Sequence, residues 1–509
     1  MNDSAFHFEK SKSGEHTCSF EGKYLHSKYN PRAEGEKFAQ NVQADFSPLC
    51  VFIIEPALSY CVSFLRQKFP TAKLYAIRFF DDFSDTDTLW DFVFYLKKYG
   101  KHTEHVPLSE RLFNFLGEES LISSCFFDWH ATQMLFPSES AETWQEIKKA
   151  ILKARDVIGT RSYFSKRWFK NALIFTAHIQ HPVVLEKTRL PILIAASGPS
   201  LHASIPYIKK FRSSFFLIAL SSAFMPLAAH EITPNLVMSS DGGFWAKKHL
   251  DFHPQPSDTI FALETESAVP KSILESKKIL PLIYEDSLGK DFLDSLSIPF
   301  LISKRNGTVA GTALEFAFDF THEKIYVCGL DQAPAPAFQH TQPNALEIDN
   351  AQTDFKLRTK ESRITFSRFR SETSLEIYRN WFISNSDYFA KRVFRLSDTG
   401  TYQYPLGKIK DIRWTDFERL NAEFILRDSS QQSKKTESNG HTPVQAHLRK
   451  ETLQTKLKSI AQTKRFSEEV FPMEAILIRR ELSQAKKQEL QAQLEEKIEK
   501  FIHECERLF

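Results

Sequence analysis

The sequence predicts an α/β protein: a Rossmann-like central domain with a mostly parallel sheet, a smaller N-terminal α/β domain and a C-terminal helical region. Three observations predict this. Between residues 190 and 400, short apolar runs of strand length alternate with helical runs, and those runs are apolar throughout, as strands buried on both faces are. A strand–helix–strand pattern occupies the first 105 residues. Past residue 446, charged residues surround an apolar stripe at helical spacing.

Taken in order, residues 50–54 (CVFII) read as a strand, a helical stretch follows through residue 65, and residues 74–79 (LYAIRF) read as the next strand. The loop between, Glu55-Pro56-Ala57-Leu58, has no glycine, so this half lacks the close backbone approach that a dinucleotide site needs. Residues 106–188 read as mainly helical. Trp144, Ile147, Ile151 and Ala154 recur at helical spacing, as do Phe164, Trp168, Ala172 and Phe175, which predicts packing faces. The central strands are residues 191–196 (PILIAA), 215–222 (FFLIALSS), 236–241 (LVMSSD), 259–264 and 324–331, with a helix over 309–320. Residues 428–446 are polar and read as a linker, after which Leu490, Leu494, Ile498 and Phe501 share one helix face. That face predicts either packing on its own domain or self-association into a homo-oligomer. The domains expected are therefore 1–105, 106–188, 189–405 and 406–509.

Composition narrows the class. A chain of 509 residues exceeds one ordinary core and suggests about two to four domains. An apolar share of 42% with 25% charged residues is that of a globular protein, and a net charge of +3 argues against a dedicated nucleic-acid surface. No two of the six cysteines have C-x-x-C spacing, so buried thiols in a reducing compartment are expected. The N-terminus shows no apolar signal-peptide core, and no uncharged stretch reaches the roughly 18 residues of a membrane span. These features predict a cytoplasmic location.

The sharpest motif is Ala196-Ser197-Gly198-Pro199-Ser200-Leu201, directly after the strand PILIAA and before a helical stretch. Gly198 permits a tight turn, Pro199 suits a first helical position, and Ser197 and Ser200 can cap the helix or bond a phosphate oxygen. The free N–H groups of such a helix end favour an anion; a plain strand-to-helix turn is the alternative. Ser221-Ser222 and Ser239-Ser240-Asp241-Gly242-Gly243 end the next two strands, placing hydroxyls and one carboxylate at the carboxyl rim, where open α/β sheets bind ligands. Asp241 can accept from a ribose hydroxyl, bind a metal or serve as a turn residue. Gly307 and Thr308 open the helix of residues 309–320, with Lys304 and Arg305 adding positive charge, and the strand 324–329 ends in Leu330-Asp331, with His340 on the following loop. Asp85-Thr86-Asp87 has the D-x-D spacing of metal-dependent glycosyltransferases, but lies in an acidic loop of the N-terminal domain and reads as a solvated turn.

This ordered set resembles the motility-associated factor (Maf) flagellin glycosyltransferases, whose core is an MptE-like domain similar to the bacterial sialyltransferases that use CMP-sialic acid. Tyr24-Leu25-His26-Ser27-Lys28-Tyr29-Asn30-Pro31 with Glu34 looks like the N-terminal signature of that family, and residues 164–171, with Trp168 and Asn171, look like its segment leading into the core. The resemblance covers about residues 20–420. It implies transfer of a nonulosonic acid, of the pseudaminic or legionaminic kind, from a CMP donor to Ser or Thr hydroxyls of flagellin. It further implies a donor site built from Ser197, Gly198, Pro199, Ser200, Leu201, Asp241 and Asp331, to which the strand-end and helix-start readings add Ser222, Gly307 and Thr308. His340 becomes the candidate base that takes the acceptor's proton, with phosphate binding and a surface-loop role as its alternatives. The related sialyltransferases need no metal, so neither metal nor cofactor is expected beyond the CMP-sugar donor. Two other classes compete: a pterin diphosphokinase of the same core, using ATP and Mg²⁺ through Asp241 and Asp331, and a non-catalytic flagellin-binding protein.

Overall fold

A computed structural model describes residues 6–97, 106–397, 403–419 and 446–509. The chain falls into two compact units, Met1–Ser165 with Lys464–Lys500, and Lys166–Thr463 with Phe501–Phe509.

In the first unit four parallel strands run in the order Phe92–Tyr95, Lys73–Arg78, Cys50–Ile54, Ser124–Asp128. Alternation sorts their side chains onto two faces. Phe52, Ile54, Tyr75 and Ile77 pack with Leu112, Ile147, Ala150 and Ala154 on one face, while Val51, Ile53, Leu74 and Ala76 pack with Ala39 and Leu65 on the other. An antiparallel ribbon, Phe6–Lys10, His16–Phe20 and Lys23–Tyr24, joins this unit. The boundary expected at residue 105 falls elsewhere, because the strand Ser124–Asp128 completes the first sheet and the early part of the helix Pro137–His178 covers one of its faces.

The glycine-free loop after Ile54 is tied down from within. Glu55, Ala57 and Ser59 all take positive φ, at 41°, 43° and 61°. Buried Arg78 donates to Glu55 Oε1 at 3.1 Å, to the Ala57 carbonyl at 2.7 Å and to Ser59 Oγ at 3.0 Å. The Leu58 N–H donates to His26 Nε2 at 3.0 Å, so this loop's donors are engaged. Asp87 of the D-x-D triplet accepts from Arg78 Nε at 3.0 Å and from the Tyr95 hydroxyl at 2.5 Å, a structural turn.

The second unit is built on a parallel sheet. Its path is Leu301–Ser303, Lys278–Tyr284, Ile260–Glu264, Leu236–Ser239, Phe216–Leu220, Ile192–Ala195, Ile325–Cys328, Val393–Leu396 and Lys410–Ile412. From Ile192–Ala195 the chain adds strands outward to Leu301–Ser303. The helix Val309–Phe320 follows, and Ile325–Cys328 then pairs on the opposite side of Ile192–Ala195. Strand order therefore reverses between these two central strands. The small face of that helix, Ala310, Ala313 and Ala317, sits in the core with Ile192, Ile194, Ile218 and Met238.

Several expected boundaries shift. The sheet continues past residue 405 through Lys410–Ile412, because that strand pairs with Val393–Leu396. Ser221 and Ser222 open the helix Ser221–Ala229 instead of ending a strand. Of the linker expected at 428–446, all but the last residue lie outside the described residues. On the helix Gln484–Glu506, Leu494 and Phe501 are buried and Leu490 and Ile498 half-buried, so part of the stripe is covered by its own chain. All six cysteines are free. Among the described residues no helix is long and apolar enough to cross a membrane.

Candidate functional site

Ligands of open α/β sheets bind at the carboxyl ends of the strands, in the crevice where strand order reverses. That crevice lies between Ala195 and Cys328, and the loop of residues 196–201 forms one wall. Two glycines let the strand ends meet. The Gly198 N–H donates to the Gly329 carbonyl at 2.8 Å, and a Cβ on Gly198 would lie 2.5 Å from that oxygen. Gly329 takes φ +69°, where a Cβ would lie 2.1 Å from the Ala196 carbonyl oxygen.

The loop does not offer the open phosphate cradle expected of it. The Ser200 N–H donates to Asp331 Oδ2 at 2.9 Å, and the Ser200 hydroxyl donates to Asp331 Oδ1. The Leu201 and His202 N–H groups close short turns onto Gly198 and Pro199. The side chain of Ser200 therefore does not cap the helix Leu201–Lys210, and Leu201 is fully buried instead of lining a ligand. Asp331 stands where an incoming anion would be held. Gln403 donates to Asp331 Oδ1 at 2.9 Å and to Ser200 Oγ at 3.1 Å, completing the clamp. Asp331 thus positions the loop, and Gly198, Pro199 and Ser200 remain partly exposed around it.

Beside this clamp, three expected residues converge. Ser197 Oγ is 2.7 Å from Ser222 Oγ and 2.9 Å from His340 Nδ1. The next residue anchors the histidine loop: the Thr341 N–H donates to the Ser197 carbonyl at 2.8 Å, and its hydroxyl to the Gly198 carbonyl at 2.7 Å. Burial holds the His340 pKa below the ordinary 6.5, while Glu347 pulls it up. His249, on the helix Phe244–Leu250, faces His340 with ring centroids 6.3 Å apart. Burial and the neighbouring His340 lower its pKa to about 4. Both rings are neutral at pH 7, the state in which an imidazole can accept a proton.

Farther along the rim the remaining expected residues form bonds of their own. Asp241 is exposed, and its Oδ1 accepts the Gly243 N–H at 2.7 Å, the bond of a turn aspartate. Thr308 caps its helix, its hydroxyl accepting the Gly311 N–H at 3.1 Å, and Gly307 takes φ +69° in open space. The positive charge expected there is neutralised: Lys304 pairs with Glu315 at 3.1 Å, and Arg305 holds Glu266 through two 2.9 Å bonds and also pairs with Asp286. Asn171 joins these loops, donating to the carbonyls of Gly242 at 3.4 Å and Glu266 at 2.8 Å. Within this cluster Glu264 is fully buried, and burial and the nearby Glu266 raise its pKa to about 8.

Sequence reasoning missed Gln403, Thr341, His249 and Glu264. Thr341 follows His340 directly and could have been noticed beside it. Gln403 sits 72 residues from Asp331 in a stretch with no motif, so nothing local marks it.

Comparison with known proteins places this geometry. Residues 166–335 match the family model described as 6-hydroxymethylpterin diphosphokinase MptE-like. Over that span the chain resembles the MptE-like family. Its sheet core, the reversal crevice and Asp331 all lie within those residues, whereas His340 lies just beyond them. A protein of Treponema pallidum (strain Nichols), described as uncharacterized, is 31% identical over 311 residues, covering 60% of this chain and 66% of that protein. The Maf glycosyltransferase from Magnetospirillum magneticum AMB-1 shares the fold at a TM-score of 0.56 and 11% identity, across 99% of this chain and 92% of that one. The MptE-like match thus lies in a chain that shares its fold with a Maf glycosyltransferase.

Proposed function

We propose that this protein is a glycosyltransferase that uses a nucleotide-activated sugar, with His340 as the base that deprotonates the acceptor. The observation that carries this reading is the hydrogen bond between Ser197 Oγ and His340 Nδ1 at 2.9 Å, made at the crevice where strand order reverses. The fold shared with a Maf glycosyltransferase supports it.

In the proposed step the acceptor hydroxyl oxygen attacks the anomeric carbon, the carbon–phosphate oxygen bond breaks, and the hydroxyl proton passes to His340 Nε2. That assignment needs the proton of neutral His340 on Nδ1, donated to Ser197 Oγ, with Ser197 in turn donating to Ser222. Ser197 then plays the orienting part, and Glu347 favours the imidazolium that forms. Gly198, Pro199 and Ser200 border the donor site beside the Asp331 clamp, while Asp241 and Thr308 flank the sugar or ribose. The donor is a CMP-linked nonulosonic acid of the pseudaminic or legionaminic type, and the acceptor is a Ser or Thr hydroxyl of flagellin in the cytoplasm. The reaction needs no metal and no resident cofactor.

The competing diphosphokinase reading requires Asp331 and Asp241 as ligands of Mg²⁺. The hydrogen bonds of Asp331 to Ser200 and Gln403 and of Asp241 to Gly243 favour sugar transfer instead. The test is incubation of the full chain with CMP-pseudaminic acid and flagellin, read by intact mass. A mass gain of one sugar per transfer, undiminished by EDTA, is expected. Stabilisation by ATP and Mg²⁺ but not by CMP, without mass gain, would overturn the proposal.

A further inference from the structure

We infer that the second unit holds a separate binding site for a carboxylate-bearing ligand with an apolar body, in the cavity beside Arg449. The cavity measures about 410 Å³. Ala177, Leu453 and Phe509 give it apolar walls, while His178, Arg449 and Lys450 supply its ionisable groups; no acidic residue lines it among the described residues.

Arg449 comes from the helix Ala446–Ala461 and is 4% exposed. Its Nη1 donates to the carbonyls of Ala177 and Ile179, at the carboxyl end of the helix Pro137–His178, a favourable place for a cation. That accounts for one arm of the guanidinium. Its Nε is buried with no partner, and no carboxylate pairs with Arg449 among the described residues. His178, on the same wall, differs in kind. Its Nδ1 lies 2.9 Å from Glu275 Oε1, while Nε2 is buried without a partner.

A buried, unpaired arginine N–H beside a cavity is uncommon, because such groups are normally satisfied; His178 Nε2, in a neutral ring whose Nδ1–H faces Glu275, is an acceptor and adds no donor. A water molecule would satisfy one hydrogen bond but leave the buried charge uncompensated. A carboxylate does both. The Nε–H edge of an arginine grips a carboxylate through two parallel bonds, and the apolar walls bury the rest of the ligand. The apolar walls of Leu453 and Phe509 favour a ligand with an apolar body over inorganic phosphate. Burial also lowers the Arg449 pKa, the signature of a cation held without a counter-charge.

The test uses the full chain and isothermal titration with octanoate, with octanol, acetate and inorganic phosphate as comparison probes. Octanoate is expected to bind at one site, and octanol and acetate at least roughly tenfold more weakly, since each lacks either the charge or the body. Arg449→Gln is expected to weaken octanoate binding by roughly tenfold or more. Leu453→Trp, which fills the cavity and leaves Arg449 in place, is expected to abolish it and decides the matter if Arg449→Gln fails to fold. Absent octanoate binding, octanol binding as tightly as octanoate, phosphate binding in preference to octanoate, or unchanged octanoate binding in a folded Leu453→Trp variant would each overturn the inference.

Discussion

Ser197 Oγ lies 2.9 Å from His340 Nδ1, although 143 residues separate the two in sequence. The bond fixes the ring by the nitrogen that is not required for proton transfer, leaving Nε2 for the acceptor. Replacing His340 by Ala is expected to cut transfer by roughly 10²–10⁴-fold, the usual worth of a positioned general base. Nucleotide binding, read by thermal shift with CMP, is expected to persist. Full transfer in the variant would remove His340 from the chemistry.

The same ring sets the acidic limb of the pH profile. A base must be deprotonated to work, so the rate falls as pH drops through its pKa. Burial holds that pKa below 6.5, which moves the limb below the range of a free histidine. A profile of kcat/KM against pH is therefore expected to fall toward acid with its midpoint below 6.5. A limb centred above pH 7 would contradict the assignment.

The sheet core and its parallel character were legible because buried strands such as Ile192–Ala195 and Phe216–Leu220 are apolar along their whole length. The strand Leu301–Ser303 was not, since three residues with Ile302 exposed carry no periodic signal. For the candidate site, strand-end position and turn chemistry found Ser197 and Ser222 and the family resemblance marked His340, but neither could show what fills the loop. The helix start at Leu201 looks anion-ready in sequence. Only folding reveals that Asp331, 131 residues from Ser200, is the anion that occupies it. Hydrogen bonds between distant side chains leave no local trace, and the Asp331–Gln403 pair is of the same kind.

Gly329 offers a stability test at the floor of the crevice. Its φ of +69° disfavours any side chain, and an added Cβ would come within 2.1 Å of the Ala196 carbonyl oxygen, which is backbone and cannot swing away. Gly329→Ala is expected to destabilise the protein by at least about 2 kcal/mol through strain and clash together. Chemical denaturation followed by circular dichroism measures it, and a midpoint equal to wild type would refute the geometry.

Glu264 should respond in the opposite sense. Its folded pKa is about 8 against an ordinary 4.5. As pH rises from 4.5 to 8 the unfolded chain loses this proton while the folded chain keeps it, so folding weakens across that window and levels off above it. Gln retains the shape and can still accept from the Thr265 N–H or from Ser303, but it does not ionise. Glu264→Gln is expected to stabilise the protein by roughly 3 kcal/mol at pH 7 and to change little at pH 4.5. Urea midpoints at the two pH values test this, and equal shifts at both would show that ionisation is not the cause.

His249 weakens the fold from the acid side. Its folded pKa of about 4 lies below the ordinary 6.5, so below pH 6.5 the unfolded chain takes up a proton that the folded chain refuses. Stability is expected to be complete above 6.5, to fall between 6.5 and 4, and to flatten below that for this group, with an upper bound of roughly 3 kcal/mol. His340 contributes in the same direction, since burial lowers its pKa also. Removing the titration with His249→Gln should flatten part of the slope between pH 6.5 and 4 while leaving the slope above 6.5 unchanged. Because His340 raises the cost of charging His249, the double variant His249→Gln with His340→Gln should flatten the slope by less than the sum of the two single variants. Strict additivity of the two would mean that the rings do not share a field, despite centroids 6.3 Å apart.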